Sequence, residues 1–166
     1  MNKGRVSVAI MMIGLGLYYL AVALSPAVKA FAYGEITWPF QIIAFGLLFY
    51  VAAILGWVPA LFIPGTIITG IGGLLYYQNL TGDWGSWAYA WALIPGFVGI
   101  GLILFGVLTR KGGAIIGGLW NIIISLIMFS IFGTAFGNIV NVDKVWPAAL
   151  IILGLFLLIG AFRRKK

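Results

Sequence analysis

The sequence predicts an all-α membrane protein of six transmembrane helices, laid out as three tandem parallel-repeat hairpins with both termini cytoplasmic. Three observations carry that expectation. The first is composition: 63% of the 166 residues are hydrophobic and 8% charged, with a mean hydropathy of +1.16, whereas a soluble domain carries about 25% charge. The second is charge placement. All 10 Lys and Arg residues fall outside the long apolar runs. Eight of them gather at three places, as Lys3 with Arg5, Arg110 with Lys111, and Arg163, Arg164, Lys165 and Lys166. The segments between hold all three acids, Glu35, Asp83 and Asp143, with only Lys29 and Lys144 as cations. This is the positive-inside pattern of a polytopic protein. The third observation is an internal repeat of Trp-led segments.

Each element follows from length and punctuation. A bilayer core of about 30 Å needs roughly 20 apolar residues per helix, and six such runs are present, at 6–24, 38–55, 59–77, 89–108, 114–132 and 145–162. In the first, Lys3 and Arg5 ahead of an apolar stretch and small residues near 21–27 also fit a signal peptide. The run exceeds the about 7–15 residues of a signal h-region, so a retained helix is expected. The second, third and sixth runs open near Pro39, Pro59 and Pro147, where a helix loses nothing by lacking an amide. Pro64 and Pro95 lie deeper and are expected to kink or unwind the third and fourth helices unless those helices start later. In the fifth, Gly113 and Gly117 have the spacing that lets helices approach closely, read here as ordinary packing. The connections at 56–58 and 109–113 are short, whereas those at 25–37, 78–88 and 133–144 are longer. An even number of helices puts both ends together, and eight cations against two put that side in the cytoplasm.

The repeat has a period of one hairpin. Trp38 and Pro39 precede Gly46 and Leu47; Trp146 and Pro147 precede Gly154 and Leu155 at the same spacing; Trp91 and Ala92 precede Gly99 and Ile100. The odd runs echo one another too, Ile13 to Tyr19 reading like Ile71 to Tyr77. The chain is therefore read as one domain, 1–166, of three units at about 6–55, 59–108 and 114–162. Two-helix units keep one orientation, so these are parallel repeats, unlike the inverted repeats of many secondary transporters. Trp38, Trp91 and Trp146 are read as interface anchors, since indole favours the headgroup region.

The segment 145–166, with Trp146, Pro147, Leu150, Ile151, Gly154, Leu155 and a terminal basic cluster, resembles the LiaI/LiaF-like transmembrane region of bacterial envelope proteins. The Gly-rich stretch 70–79, ending in Tyr76, Tyr77, Gln78 and Asn79, is similar to the first helix of the same unit. The resemblance implies a multi-pass protein of the bacterial cytoplasmic membrane, tied to envelope-stress sensing or without assigned role. Unlike LiaF, the chain shows no soluble domain after its last apolar run, so direct signalling output is not expected.

Little in the sequence points to chemistry. With no Cys and no His, thiol catalysis, disulfides and the commonest metal ligands and general bases are absent. No ionisable residue lies inside an apolar run, where one would mark a functional site by default. The embedded polar residues are Gln41, Thr66, Thr69, Asn121, Ser125 and Ser130. Gln41 is expected to cap or reach the outer surface. Asn121 and Ser125 share a helix face and fit an interhelical hydrogen bond worth about 0.6–2 kcal/mol. General acid–base work needs two titratable groups at one centre, and Glu35, Asp83 and Asp143 lie in separate outer segments. Solvated loop charges are expected there rather than a shallow cation site. There is no phosphate-binding, HExxH or GxSxG motif, so neither an enzyme nor a metal, haem or nucleotide cofactor is expected.

Partners are read from surface chemistry. Cation clusters flanking apolar runs suit anionic lipid at about 1 kcal/mol per residue, and their placement argues against nucleic acid. The segment 81–91, with Asp83, Trp84, Trp87, Tyr89 and Trp91, is read as an outer interfacial belt and a candidate partner contact, Trp and Tyr being enriched at binding hot spots. The expected function is a non-catalytic regulatory or interaction protein that binds another membrane protein, associates with itself, or senses envelope state. A transporter or channel for an apolar, lipid-like solute, or an accessory subunit of a larger complex, is the alternative.

Overall fold

Glycine and proline, rather than an amphipathic stripe, shape these helices. The computed structural model describes residues 3–34 and 37–137, together with residues 151 and 154. Among them the chain is helical throughout: α1 (Lys3–Leu24), α2 (Pro26–Tyr33), α3 (Pro39–Leu55), α4 (Phe62–Thr81), α5 (Trp87–Ala90), α6 (Ile94–Thr109) and α7 (Gly112–Gly137). Short 3-10 turns at Pro59–Leu61, Trp84–Ser86 and Trp91–Leu93 lead into α4, α5 and α6. Four helical segments are long and apolar enough to cross a membrane: Lys3–Leu24, Pro59–Thr81, Trp84–Thr109 and Gly112–Phe136. At 17 residues, α3 is shorter.

The prolines sit where they do least damage. Pro26 and Pro39 open α2 and α3, and the Ser25 hydroxyl caps α2 by accepting the Val28 amide at 3.3 Å. Pro64 and Pro95 do not kink a helix interior. A 3-10 turn precedes each, and α4 and α6 begin at Phe62 and Ile94, so both prolines fall in the first turn, where amides have no helical acceptor.

Three connections differ from the sequence-based expectation. The stretch 25–37, expected as an outer connection, contains the helix α2, held to α3 by the Gln41 side-chain amide donating to Ala32 O, while the Thr37 hydroxyl donates to Phe31 O. Gln41 thus ties two elements together instead of reaching outward. The stretch 78–88 is not a loop: α4 continues to Thr81, Gly82 stops it with φ +70°, and helical structure resumes at Trp84. Finally, α7 begins at Gly112 and runs on to Gly137, through the start of the expected third outer loop. Apart from residues 151 and 154, the sixth run lies outside the described residues, as do Glu35, Asp143, Lys144, Trp146 and the terminal basic cluster.

Successive long helices pack side by side, α1 on α3, α3 on α4, α4 on α6 and α6 on α7. Backbone meets backbone at the glycines. A Cβ placed on Gly99 would lie 2.5 Å from Gly118 O and 3.0 Å from Ile122 N; one on Gly118 would lie 2.5 Å from Gly99 O. In the α3–α4 pair, a Cβ on Gly46 would lie 2.6 Å from Thr69 N, and one on Gly72 would lie 2.9 Å from Ile43 N. Between the two pairs, a Cβ on Gly101 would lie 2.7 Å from Ile63 Cα. With lipid as apolar as the side chains, such close approach and its dispersion energy are what hold membrane helices together. By contrast, Gly113 and Gly117 have nothing within 4 Å of an added Cβ among the described residues.

The two tight hairpins also turn alike. In α3 the amides of Trp57 and Val58 donate to Ile54 O and Ala53 O; after α6 those of Arg110 and Lys111 donate to Val107 O and Gly106 O. This is a helix stop with a left-handed residue after the last turn, usually glycine. Here that residue is Trp57 (φ 54°) in one hairpin and Arg110 (φ 56°) in the other. A side chain in that conformation costs about 1–2 kcal/mol.

Candidate functional site

Antiparallel packing sorts the side chains to two ends. Ser7 Oγ donates to Ala52 O at 3.1 Å, and a Cβ on Gly106 would meet Ile115 N at 2.9 Å. The start of α1, the α3–α4 turn and the α6–α7 turn therefore share one end, which gathers Lys3, Arg5, Arg110 and Lys111. Lys111 Nζ lies 5.3 Å from the Phe105 ring centroid, within cation–π range. The opposite end holds α2 with Lys29, the start of α3, and the Gly82–Trp91 segment with Asp83.

At that second end the candidate residues divide into pinned and free. Asp83 Oδ1 accepts the Ser86 amide at 3.2 Å and so caps the turn that starts at Trp84. Tyr89 is buried, its ring edge-on to Phe129 at 5.6 Å. Trp91 packs on Phe132 at 5.0 Å, and its indole N–H donates to Ala88 O at 3.0 Å. Trp38, half-buried, lies parallel to Trp84 with ring centroids 6.5 Å apart. Trp84 and Trp87 stay 48% and 39% exposed. The structure thus brings Trp38 to the same aromatic surface as Trp84, and it separates these outward-facing indoles from Tyr89 and Trp91, which are committed to α7.

Two residues that sequence reasoning did not single out for a role form the polar heart of this end. Gln78 is fully buried, and its amide donates to Ser86 Oγ at 3.0 Å; that hydroxyl donates to Asp83 O at 2.6 Å. The Gln78 carbonyl oxygen has no hydrogen-bond partner among the described residues. A Gln one turn before a glycine helix stop, followed by Ser eight residues on, was the available signal. Ser86→Ala strips the Gln78 amide of its acceptor in a site closed to water, so a loss of about 1–3 kcal/mol is expected. Adding Gln78→Leu removes the stranded group, and the double variant should lose less than Ser86→Ala alone. Unfolding titrations in detergent measure both.

Within the helices the polar residues act locally. Asn121 and Ser125 share a face but part company: Asn121 Nδ2 donates to Gly117 O of its own helix at 2.9 Å, while Ser125 Oγ crosses to Ala92 O at 2.7 Å. Of these two, Ser125 is the one that ties separate elements. Thr66 and Ser130 bond carbonyls of their own helices. Of the three carboxylates, Asp83 alone lies among the described residues, and a joint site with Glu35 and Asp143 falls outside them. A hollow of ≈ 480 Å³ is lined by Gly4, Arg5, Val8, Ala9 and Met12, all on α1, so it is the surface of one helix rather than a passage between helices.

No family model matches the chain. No solved structure matches it either. The chain is similar to UPF0410 protein YwzA of Bacillus subtilis (strain 168), with 34% identity over 73 residues, which cover 38% of this chain and 90% of the relative. Nine-tenths of that small protein is thus represented here, in a chain whose described residues are helical with four segments apolar enough to cross a membrane, and this chain belongs to the UPF0410 family.

Proposed function

We propose that this chain is a non-catalytic, multi-pass protein of the bacterial cytoplasmic membrane that acts by binding another membrane protein through its outer aromatic surface. The observation that carries the reading is the contrast at one end of the molecule. Tyr89 and Trp91 are used up in packing against α7, whereas Trp84 and Trp87 remain 48% and 39% exposed on a turn fixed by Asp83, Ser86 and Gln78. A rigid turn that presents two indoles suits a hot spot, where large side chains bind at little entropic cost. The closed interfaces at Gly46, Gly99 and Gly118 point the same way, since they favour a packed interaction protein over a transporter with a lined midplane cavity.

The orientation proposed is the basic end in the cytoplasm, against anionic lipid, with both termini on that side. Its support is the gathering of Lys3, Arg5, Arg110 and Lys111 at one end while Lys29 lies at the other. A repeat is supported by register: Gly99 and Gly118 oppose each other as Gly46 and Gly65 do, each 53 positions on (99 − 46 and 118 − 65). The hairpin turns keep the same offset.

The test is affinity purification of the full chain from its native membrane. Trp84→Ala and Trp87→Ala should each weaken partner recovery by about 2 kcal/mol or more with thermal stability in detergent nearly unchanged. If both substitutions only lower stability and recovery holds, the indoles are membrane-belt residues and the interaction reading fails.

A further inference from the structure

We propose that Trp57 and Arg110 form, with the neighbouring cations, a binding surface for anionic phospholipid headgroups at the basic end of the molecule. The inference rests on the orientation proposed above. It begins from an anomaly: both hairpins close on a left-handed residue, and neither uses glycine there. A backbone outlier kept in the harder chemistry points to a role for the side chain. The two side chains chosen are those that membrane interfaces favour, an amphipathic indole and a guanidinium. Trp57 is 75% exposed, so it packs no core of its own, and Arg110 is exposed as well.

Position along the helices supports the same assignment. Trp38 and Trp57 bracket α3, and Trp91 and Arg110 bracket the α6 segment, each pair 19 residues apart (57 − 38 and 110 − 91). At about 1.5 Å per residue this is about 28 Å, close to the about 30 Å of a hydrocarbon core. The short α3 is thus fitted to the bilayer by an indole at each boundary. Along the basic end, the Gly56–Trp57 turn lies beside the first turns of α1, since a Cβ on Gly56 would come 3.0 Å from Ser7 Cβ. On its other side the Pro59–Leu61 turn packs against α6, which leads to Arg110 and Lys111. Trp57 therefore stands between the Lys3–Arg5 pair and the Arg110–Lys111 pair. Cations on both flanks complement phosphate, and the indole between them suits the glycerol level.

The test uses the full chain purified in a neutral detergent, titrated with phosphatidylglycerol or phosphatidylcholine and read by native mass spectrometry. Wild type should retain phosphatidylglycerol at least tenfold better than phosphatidylcholine. Trp57→Gly and Arg110→Gly should each reduce that preference about fivefold, while their unfolding midpoints without lipid stay level or rise because glycine relieves the left-handed backbone. Trp57→Leu, which keeps the bulk and the strained backbone, should lose the preference, and Trp57→Tyr should keep it. Lys29→Gln, at the other end, should change nothing. An unchanged preference in both Trp57→Gly and Trp57→Leu overturns the proposal. If Arg110→Gly alone lowers it, the cations bind lipid without Trp57, and the orientation reading survives the loss of this one. Equal loss in Lys29→Gln, or displacement of the lipid by inorganic phosphate at the same concentration, would show a general anion effect and also overturn it.

Discussion

Gly118→Leu should unfold this protein far more readily than Gly117→Leu, one residue away on the same helix. At Gly118 any side chain meets backbone, with Gly99 O at 2.5 Å and Ile103 N at 3.1 Å from the first carbon alone. A flexible side chain could swing aside, but a backbone carbonyl cannot, so α6 and α7 must separate and give up their dispersion contacts along the seam. The expected loss is about 3 kcal/mol, the upper end for overpacking. Among the described residues Gly117 has nothing within 4 Å, and replacing it should stay within about 0.5 kcal/mol of wild type or improve on it, since glycine is a poor helix former. Gly65→Leu in the preceding hairpin should fall between the two, because its nearest neighbours, Phe49 Cβ at 3.3 Å and Gly46 O at 3.4 Å, leave more room. Denaturant titration in mixed micelles, followed by circular dichroism, ranks the three variants; equal losses at Gly117 and Gly118 would refute glycine-mediated packing as the source of stability.

That contrast also shows where sequence reading stops. The existence of most helices was legible, because the length and apolarity of each run are set by the membrane rather than by neighbours. Helix faces were not. In a soluble helix the polar side betrays the buried one, but here both the packed and the lipid-facing sides are apolar, so Gly117 and Gly118 look alike in the sequence. The spacing rule pointed to Gly113 and Gly117, and the structure packs on Gly118 instead. The start of helical structure at 84–88 was missed for a related reason. Dense aromatics with Gly and Asp read as an outer turn, yet Asp83 caps a new turn and Gly82 takes the whole reversal. The stretch around α2 read as a loop for want of length, although Ser25 and Pro26 are a helix start in miniature.

At the candidate site, the sequence pointed to the aromatic segment and left its division of labour hidden. Which indoles are free depends on where Phe129 and Phe132 arrive from α7, some forty positions downstream. Gln78 was visible only as a polar residue at the end of an apolar run, its pairing with Ser86 being a product of the folded turn. Trp57 carried no signal at all, since nothing in a Gly-Trp-Val stretch tells that the chain adopts a left-handed backbone there.

The claim on which orientation, lipid contact and partner surface all depend is that the basic and aromatic ends lie on opposite sides of one membrane. The chain has no Cys, so single cysteines can be introduced without background at positions 3, 57 and 111 for the basic end and at 29 and 84 for the aromatic end. With a membrane-impermeant maleimide applied to intact cells, the account predicts labelling at 29 and 84 only, and labelling at 3, 57 and 111 only after the membrane is opened. Labelling of position 3, 57 or 111 in intact cells, or protection of 29 and 84, would contradict it.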